Sequence, residues 1–207
     1  MNLPNKISLS RILLIPVFVA TFFLDGILPF AFGIAAIIFA VAACTDFVDG
    51  KIARSRGLVT NLGKFLDPIA DKVLVSTAMI LLLTMKGSLF ALVGGASDAI
   101  YTATVICTCI IMARELIISA FRQIAAANNV IMAAEKLGKY KAACQDVAIF
   151  FLILAAGIAG VTPVEYAVPW GTYVAWFGFA LFAVATVLTI LSGVSYIVKN
   201  KQVLKDN

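Results

Sequence analysis

Histidine is absent from the 207 residues, and charged residues make up only 13% of them. The first absence excludes a Ser-His-Asp hydrolase and a phospholipase D-type enzyme with a histidine nucleophile. It also leaves a zinc site with nothing but Cys or carboxylate ligands. The second absence excludes an ordinary soluble domain, which carries roughly a quarter charged residues. Cysteine is sparse as well. Cys44, Cys107, Cys109 and Cys144 lie in apolar stretches, form no C-x-x-C pair and read as small buried thiols. The chain shows no polar low-complexity segment, linker or internal repeat. Its polar start, Met1 to Arg11, lacks the small-residue cleavage pattern of a signal peptide, so the apolar run that follows reads as a first membrane helix. At this length we expect one domain over 1–207.

What is present is apolar. Hydrophobic residues make up 62% of the chain, including 15 Phe, and mean hydropathy is +1.04. A helix needs about 20 apolar residues to cross the hydrocarbon core. Six stretches qualify: 8–24, 30–53, 62–85, 98–127, 139–159 and 170–198. They are separated by Asp25-Gly26 and Pro29, by the polar loop 54–61 with a helix cap at Thr60 or Asn61, by Lys86-Gly87 and Gly94-Gly95, by 128–138, and by 160–169. The fold class expected is all-α integral membrane, with six transmembrane helices.

Charge sets the orientation. With six spans, all but one of the 16 basic residues fall on the side that holds both termini, and only Lys86 is left for the other. Cytoplasmic loops collect Lys and Arg, so both termini should be cytoplasmic. Lys199, Lys201 and Lys205 are explained by topology and attraction to anionic lipid. Arg54, Arg114, Lys139 and Lys141 are not, because they stand beside carboxylates.

Of 11 acidic residues, Asp46, Asp49, Asp67 and Asp71 fall within a short span on two adjoining expected helices. A carboxylate near lipid costs a few kcal/mol or more. Spacings of i, i+3 and i, i+4 put each pair on one face of its helix. A short loop makes the two helices antiparallel neighbours and brings the pairs to similar depth. Such carboxylates repel unless cations bind, and an oxygen-only set suits Mg²⁺ or Mn²⁺, with room for two ions. Metal between carboxylates and a basic pocket suits displacement at phosphorus. Gly50, Ala53 and Gly63 keep the approach open, and Arg54 can clamp a phosphate.

Asp46-Phe-Val-Asp49-Gly50-Lys-Ile-Ala53-Arg54, eight residues, then Gly63-Lys-Phe-Leu-Asp67-Pro-Ile-Ala-Asp71 matches D-x-x-D-G-x-x-A-R-x8-G-x3-D-x3-D. This resembles the CDP-alcohol phosphotransferase family. Asn2 to Arg11, Leu66 to Lys72, Ala113-Arg-Glu115 and Leu137-Gly-Lys139 resemble its bacterial phosphatidylglycerophosphate-forming branch. The resemblance implies metal at Asp46, Asp49, Asp67 and Asp71, with Asp71 also the base. That base would take the proton of an acceptor hydroxyl, which attacks the β-phosphorus of CDP-diacylglycerol and expels CMP. It implies cytidine diphosphate contacts at Gly50, Arg54 and Thr60, with Asn5 near the same pocket. It further implies six transmembrane helices around a cytoplasm-facing polar cavity, a homodimer in the bacterial inner membrane, and an amphipathic segment, abbreviated here, before the first helix.

A glycerol 3-phosphate acceptor needs a cationic pocket apart from the metals. Arg114 and Arg122 lie two turns apart on the fourth expected helix, and Lys139 and Lys141 begin the fifth on the same membrane side. Glu115 can pair with or orient Arg114, whereas Glu135 and Asp146 read as solvated or structural. Family members with another acceptor (inositol phosphate, serine or phosphatidylglycerol) are rivals, but an uncharged acceptor would leave Arg114 and Lys139 without work. A cation transporter is the rival from another class. It calls for midplane carboxylates, broken helices and repeats, against aspartates near one interface and no repeat here.

Overall fold

Apolar runs in hydrocarbon become helices because each backbone N–H and C=O must be satisfied within its own segment. The structure, a computed structural model, describes residues 3–28, 30–55, 61–127, 136–161 and 164–200. Within these, the side chains of 3–8, 46–55, 61–67, 126–127, 136, 161 and 164–169 lie outside the description. The elements in order are α1 (Leu3–Phe23), α2 (Ala31–Ser55), α3 (Asn61–Thr84), a 3-10 helix η1 (Phe90–Ala96), α4 (Ser97–Ala127), α5 (Lys136–Val161) and α6 (Val164–Lys199). No strand occurs among the described residues. Phe90–Ala125, Leu137–Gly160 and Trp170–Lys199 are long and apolar enough to cross a membrane, and Leu9–Phe23 and Ala31–Thr45 are shorter apolar helices. The chain is thus an all-helical, multi-pass membrane protein.

Three expectations need correction. The polar start is part of α1 from Leu3, where Pro4 sits in the first turn and gives up an N–H that has no helical partner. The stretch 164–169, expected as loop, belongs to α6; Pro169 lies past the first turn and removes a single backbone bond, which a long membrane helix tolerates. The thiols are not buried: Cys44 and Cys109 are exposed, and Cys107 and Cys144 half-buried. On a lipid-facing helix an exposed thiol still meets an apolar solvent.

Side-chain contacts fix the helix directions. Phe18 and Phe22 of α1 meet Phe39 and Phe32 of α2 at ring-centroid distances of 5.9 and 5.5 Å, so the two helices run antiparallel. Between them, Gly26 adopts φ 85° in the turn. α2 then crosses α5 where two backbones touch: a Cβ on Gly157 would lie 2.6 Å from the backbone N of Gly33. Small residues let membrane helices approach this closely. Gly157→Ala is therefore expected to destabilise the protein by about 1–3 kcal/mol, read as a lowered Tm in detergent; an unchanged Tm would show that the crossing relaxes freely.

α5 and α6 form the most extensive pairing, with α4 against α6. The turn before α4 is pinned by the buried Phe90, whose ring lies 5.2 Å from Tyr101 and 5.4 Å from Phe179. Thr172 Oγ1 donates to the Leu92 carbonyl at 3.0 Å. Lys86, the one basic residue assigned to the far side, pairs with Asp98 at 3.2 Å and lies 5.0 Å from the Tyr101 centroid. These directions gather the start of α1, α3 and α5 and the end of α2, α4 and α6 at one end of the bundle.

Candidate active site

That end carries the aspartates. α2 and α3 are in contact, and α1 packs against both. Asp49 lies six residues before the end of α2, and Asp67 six residues after the start of α3. At 1.5 Å per residue both sit about 9 Å from their helix ends. Asp46 and Asp71 lie about 14 Å from the same ends by the same rise. Each pair thus lies a similar distance from the end of its own helix. Asp71 is half-buried beside the fully buried Ala70.

Gly50, Ala53 and Arg54 follow on the last turns of α2, Gly63 stands in the first turn of α3, and Asn5 in the first turn of α1. The side chains of Asn5, Asp46, Asp49, Ala53, Arg54 and Asp67 lie outside the description, as does Thr60 altogether. Among the described side chains no three metal-ligating groups converge, which bears on Asp71 alone of the four aspartates. The chemistry of the donor set fits a hard divalent ion: four carboxylates carried by two helices in contact.

The four cations expected to meet the acceptor are all among the described side chains. Two of them converge on one carboxylate of α4. Arg114 Nη1 donates to Glu115 Oε1 at 3.0 Å, and Lys141 Nζ donates to the same oxygen at 2.7 Å. The Lys141 side chain is 6% exposed and that of Arg114 17%. Arg114 Nη2 also donates to Ser192 Oγ of α6 at 3.0 Å, while its Nε is buried with no hydrogen-bond partner among the described residues. The absence of a side chain at Gly193 makes room for the Arg114 stem, since a Cβ there would stand 3.1 Å from Arg114 Cγ. Lys72, the neighbour of Asp71, donates to Ser119 Oγ, which donates to the Glu115 carbonyl at 2.5 Å. The structure therefore joins Arg114 and Lys141 and ties them to the α3 turn that carries Asp71.

It separates the other two. Arg122 points to α6, where its Nε donates to Tyr196 Oη at 3.2 Å and its guanidinium lies 5.3 Å from the ring centroid. Lys139 is exposed at the start of α5. Residues without a sequence signal complete the cluster: Ser119 and Ser192 are uncharged and distant in sequence. Arg11, given no site role above, is 1% exposed within the bundle. A wholly buried arginine in an apolar helix is costly without a structural or functional role.

Comparison with known proteins gives one consistent picture. A model of the CDP-alcohol phosphatidyltransferase family matches residues 1–191. The chain is 35% identical to a Bacillus subtilis CDP-diacylglycerol–glycerol-3-phosphate 3-phosphatidyltransferase, over 99% of this chain and 97% of the relative. It is 38% identical to a Salmonella paratyphi A protein of the same name, over 95% and 93%, and 33% identical to one from Rickettsia felis, over 94% and 93%.

Proposed function

The chain belongs to the CDP-alcohol phosphatidyltransferase family, and we propose that it transfers the phosphatidyl group of CDP-diacylglycerol to glycerol 3-phosphate, giving phosphatidylglycerophosphate and CMP in phospholipid synthesis. Near-full-length similarity to three bacterial proteins of that name supports the donor and the acceptor together. The observation that carries the choice of a phosphorylated acceptor is the cation cluster. Arg114 and Lys141 share the single carboxylate of Glu115, and Lys72 joins them through Ser119 and the Glu115 backbone carbonyl, leaving a surplus of positive charge over that carboxylate. A phosphate dianion offsets that surplus, whereas serine and phosphatidylglycerol bring no such group.

Asp46, Asp49, Asp67 and Asp71 would hold the divalent metal, Mg²⁺ or Mn²⁺, as two ions. When bound, the metal neutralises phosphate oxygens and the leaving group. The chain's own residues do the rest. Gly50, Ala53 and Gly63 leave space along α2 and α3 for the cytidine diphosphate, with Arg54, Thr60 and Asn5 as its polar partners. Arg114 and Lys141, with Lys139 and Arg122 further out, hold the acceptor phosphate. Asp71 accepts the proton of the acceptor hydroxyl as its oxygen bonds to the β-phosphorus; the bond from that phosphorus to the CMP oxygen breaks, and CMP leaves. A water-soluble acceptor and a lipid donor can meet at this level because it lies about 9–14 Å from the helix ends.

The larger arrangement belongs to the same proposal. One catalytic domain of six spans encloses a polar cavity open to the cytoplasm, both termini are cytoplasmic, and the enzyme is a homodimer in the bacterial inner membrane. Purified protein given CDP-diacylglycerol and glycerol 3-phosphate should release CMP with Mg²⁺ or Mn²⁺ and stop when divalent metal is chelated. Turnover that survives full chelation would contradict the metal site.

A further inference from the structure

One group in the cation cluster is assigned neither to metal nor to substrate. Glu115 Oε1 receives two cations from two helices, Arg114 from its own α4 and Lys141 from α5. The carboxylate is itself largely enclosed, with a side chain 28% exposed. Its backbone carbonyl takes the Ser119 hydroxyl, which in turn takes Lys72 of α3. Three helices thus meet at one residue, and all three carry groups that the proposed reaction uses.

We propose that Glu115 is a positioning residue for acceptor recognition: its carboxylate holds Arg114 and Lys141 side by side against their mutual repulsion. The inference rests on the reading of this cluster as the acceptor-phosphate pocket. Two cations on one oxygen repel, and buried ammonium and guanidinium groups separate or turn toward water when their shared anion is removed. Glu115 also leaves Arg114 with donors to spare. A guanidinium has five N–H groups; the carboxylate and Ser192 take one from each terminal nitrogen, and Nε has no partner among the described residues. The carboxylate fixes the plane of the fork without filling it.

A simple charge-balance role gives the opposite sign. Removing a negative charge from a pocket for an anion would tighten binding and lower the acceptor KM. Positioning requires the KM to rise. Glu115→Gln keeps size and an acceptor oxygen but loses the charge, so it separates the two.

The experiment measures CMP release by purified wild type and variants while glycerol 3-phosphate and CDP-diacylglycerol are varied in turn, alongside Tm in detergent. For Glu115→Gln we expect the KM for glycerol 3-phosphate to rise about tenfold, with the KM for the CDP-lipid unchanged. Glu115→Asp keeps the charge and shortens the reach by one methylene, so it should restore part of the loss. An acceptor KM that falls or stays constant, or KM values for both substrates that rise equally, overturns the proposal. Should Glu115→Gln fail to fold, Glu115→Asp carries the test alone: a selective rise of about threefold is expected, and its absence overturns the inference. If wild type does not use glycerol 3-phosphate at all, the acceptor reading fails first, which is a distinct result.

Discussion

Replacing Asp71 by asparagine is expected to lower kcat by about a thousandfold or more while the protein still folds in detergent. Asparagine matches aspartate in volume and can still accept a hydrogen bond, but it cannot take a proton from a hydroxyl at neutral pH. A positioned general base contributes about 10²–10⁴-fold, and the same substitution weakens a metal ligand, so the losses compound. The fold should survive because Asp71 is only half-buried; the core positions nearest it on its helix, Ala70 and Leu74, are left alone by the change. CMP release at saturating substrates and Tm in detergent report the two effects separately. Activity within about tenfold of wild type would remove Asp71 from the role of base.

Arg114→Ala carries the second large effect, and on a different constant. Arg114 is held by Glu115 on one side and Ser192 on the other, which pre-orders its guanidinium for a phosphate. Charge-assisted hydrogen bonds contribute roughly 1.5–3 kcal/mol each, so the KM for glycerol 3-phosphate should rise about ten- to a hundredfold. The KM for CDP-diacylglycerol should stay near its wild-type value. Lys141 keeps its own bond to Glu115 at 2.7 Å in this variant, so no buried charge is stranded. Arg122→Ala should act more weakly, because Arg122 is exposed and engaged with Tyr196. Steady-state kinetics with each substrate varied in turn checks both variants; equal effects of Arg114→Ala on the two KM values would take Arg114 out of the acceptor pocket.

Much of this was legible in the chain. Hydropathy and the breaks at Asp25-Gly26, Lys86-Gly87 and Asn128-Asn129 located the helices, because a membrane segment must be apolar over its whole length. The four aspartates were legible for the same reason: in so apolar a chain each carboxylate stands out, and the i, i+3 and i, i+4 spacings need only a helix to become a face. One boundary and one environment misled. Pro169 reads as a stop, yet inside a long membrane helix it costs little more than one backbone bond, and α6 runs through it. The thiols read as core because exposure to lipid and burial in protein favour the same apolar residues.

Partner choice was not legible. Arg114 finds Ser192 across 78 positions, Lys141 finds Glu115 across 26, and Arg122 finds Tyr196 across 74. Sequence spacing identifies which residues share a helix face; it does not say which faces meet. For this reason Arg114, Arg122, Lys139 and Lys141 looked alike as basic residues near one interface. In the fold, two share a carboxylate, one is fastened to a tyrosine and one is exposed.

The most direct measurement is an acceptor panel. Purified protein with CDP-diacylglycerol and Mg²⁺ or Mn²⁺ is offered glycerol 3-phosphate, inositol phosphate, serine and phosphatidylglycerol in turn, and CMP release is followed. We expect rapid release with glycerol 3-phosphate, with phosphatidylglycerophosphate as the lipid product, and little with serine or phosphatidylglycerol. Equal or faster release with serine or phosphatidylglycerol, neither of which brings a phosphate dianion to the cluster around Glu115, would contradict the assignment.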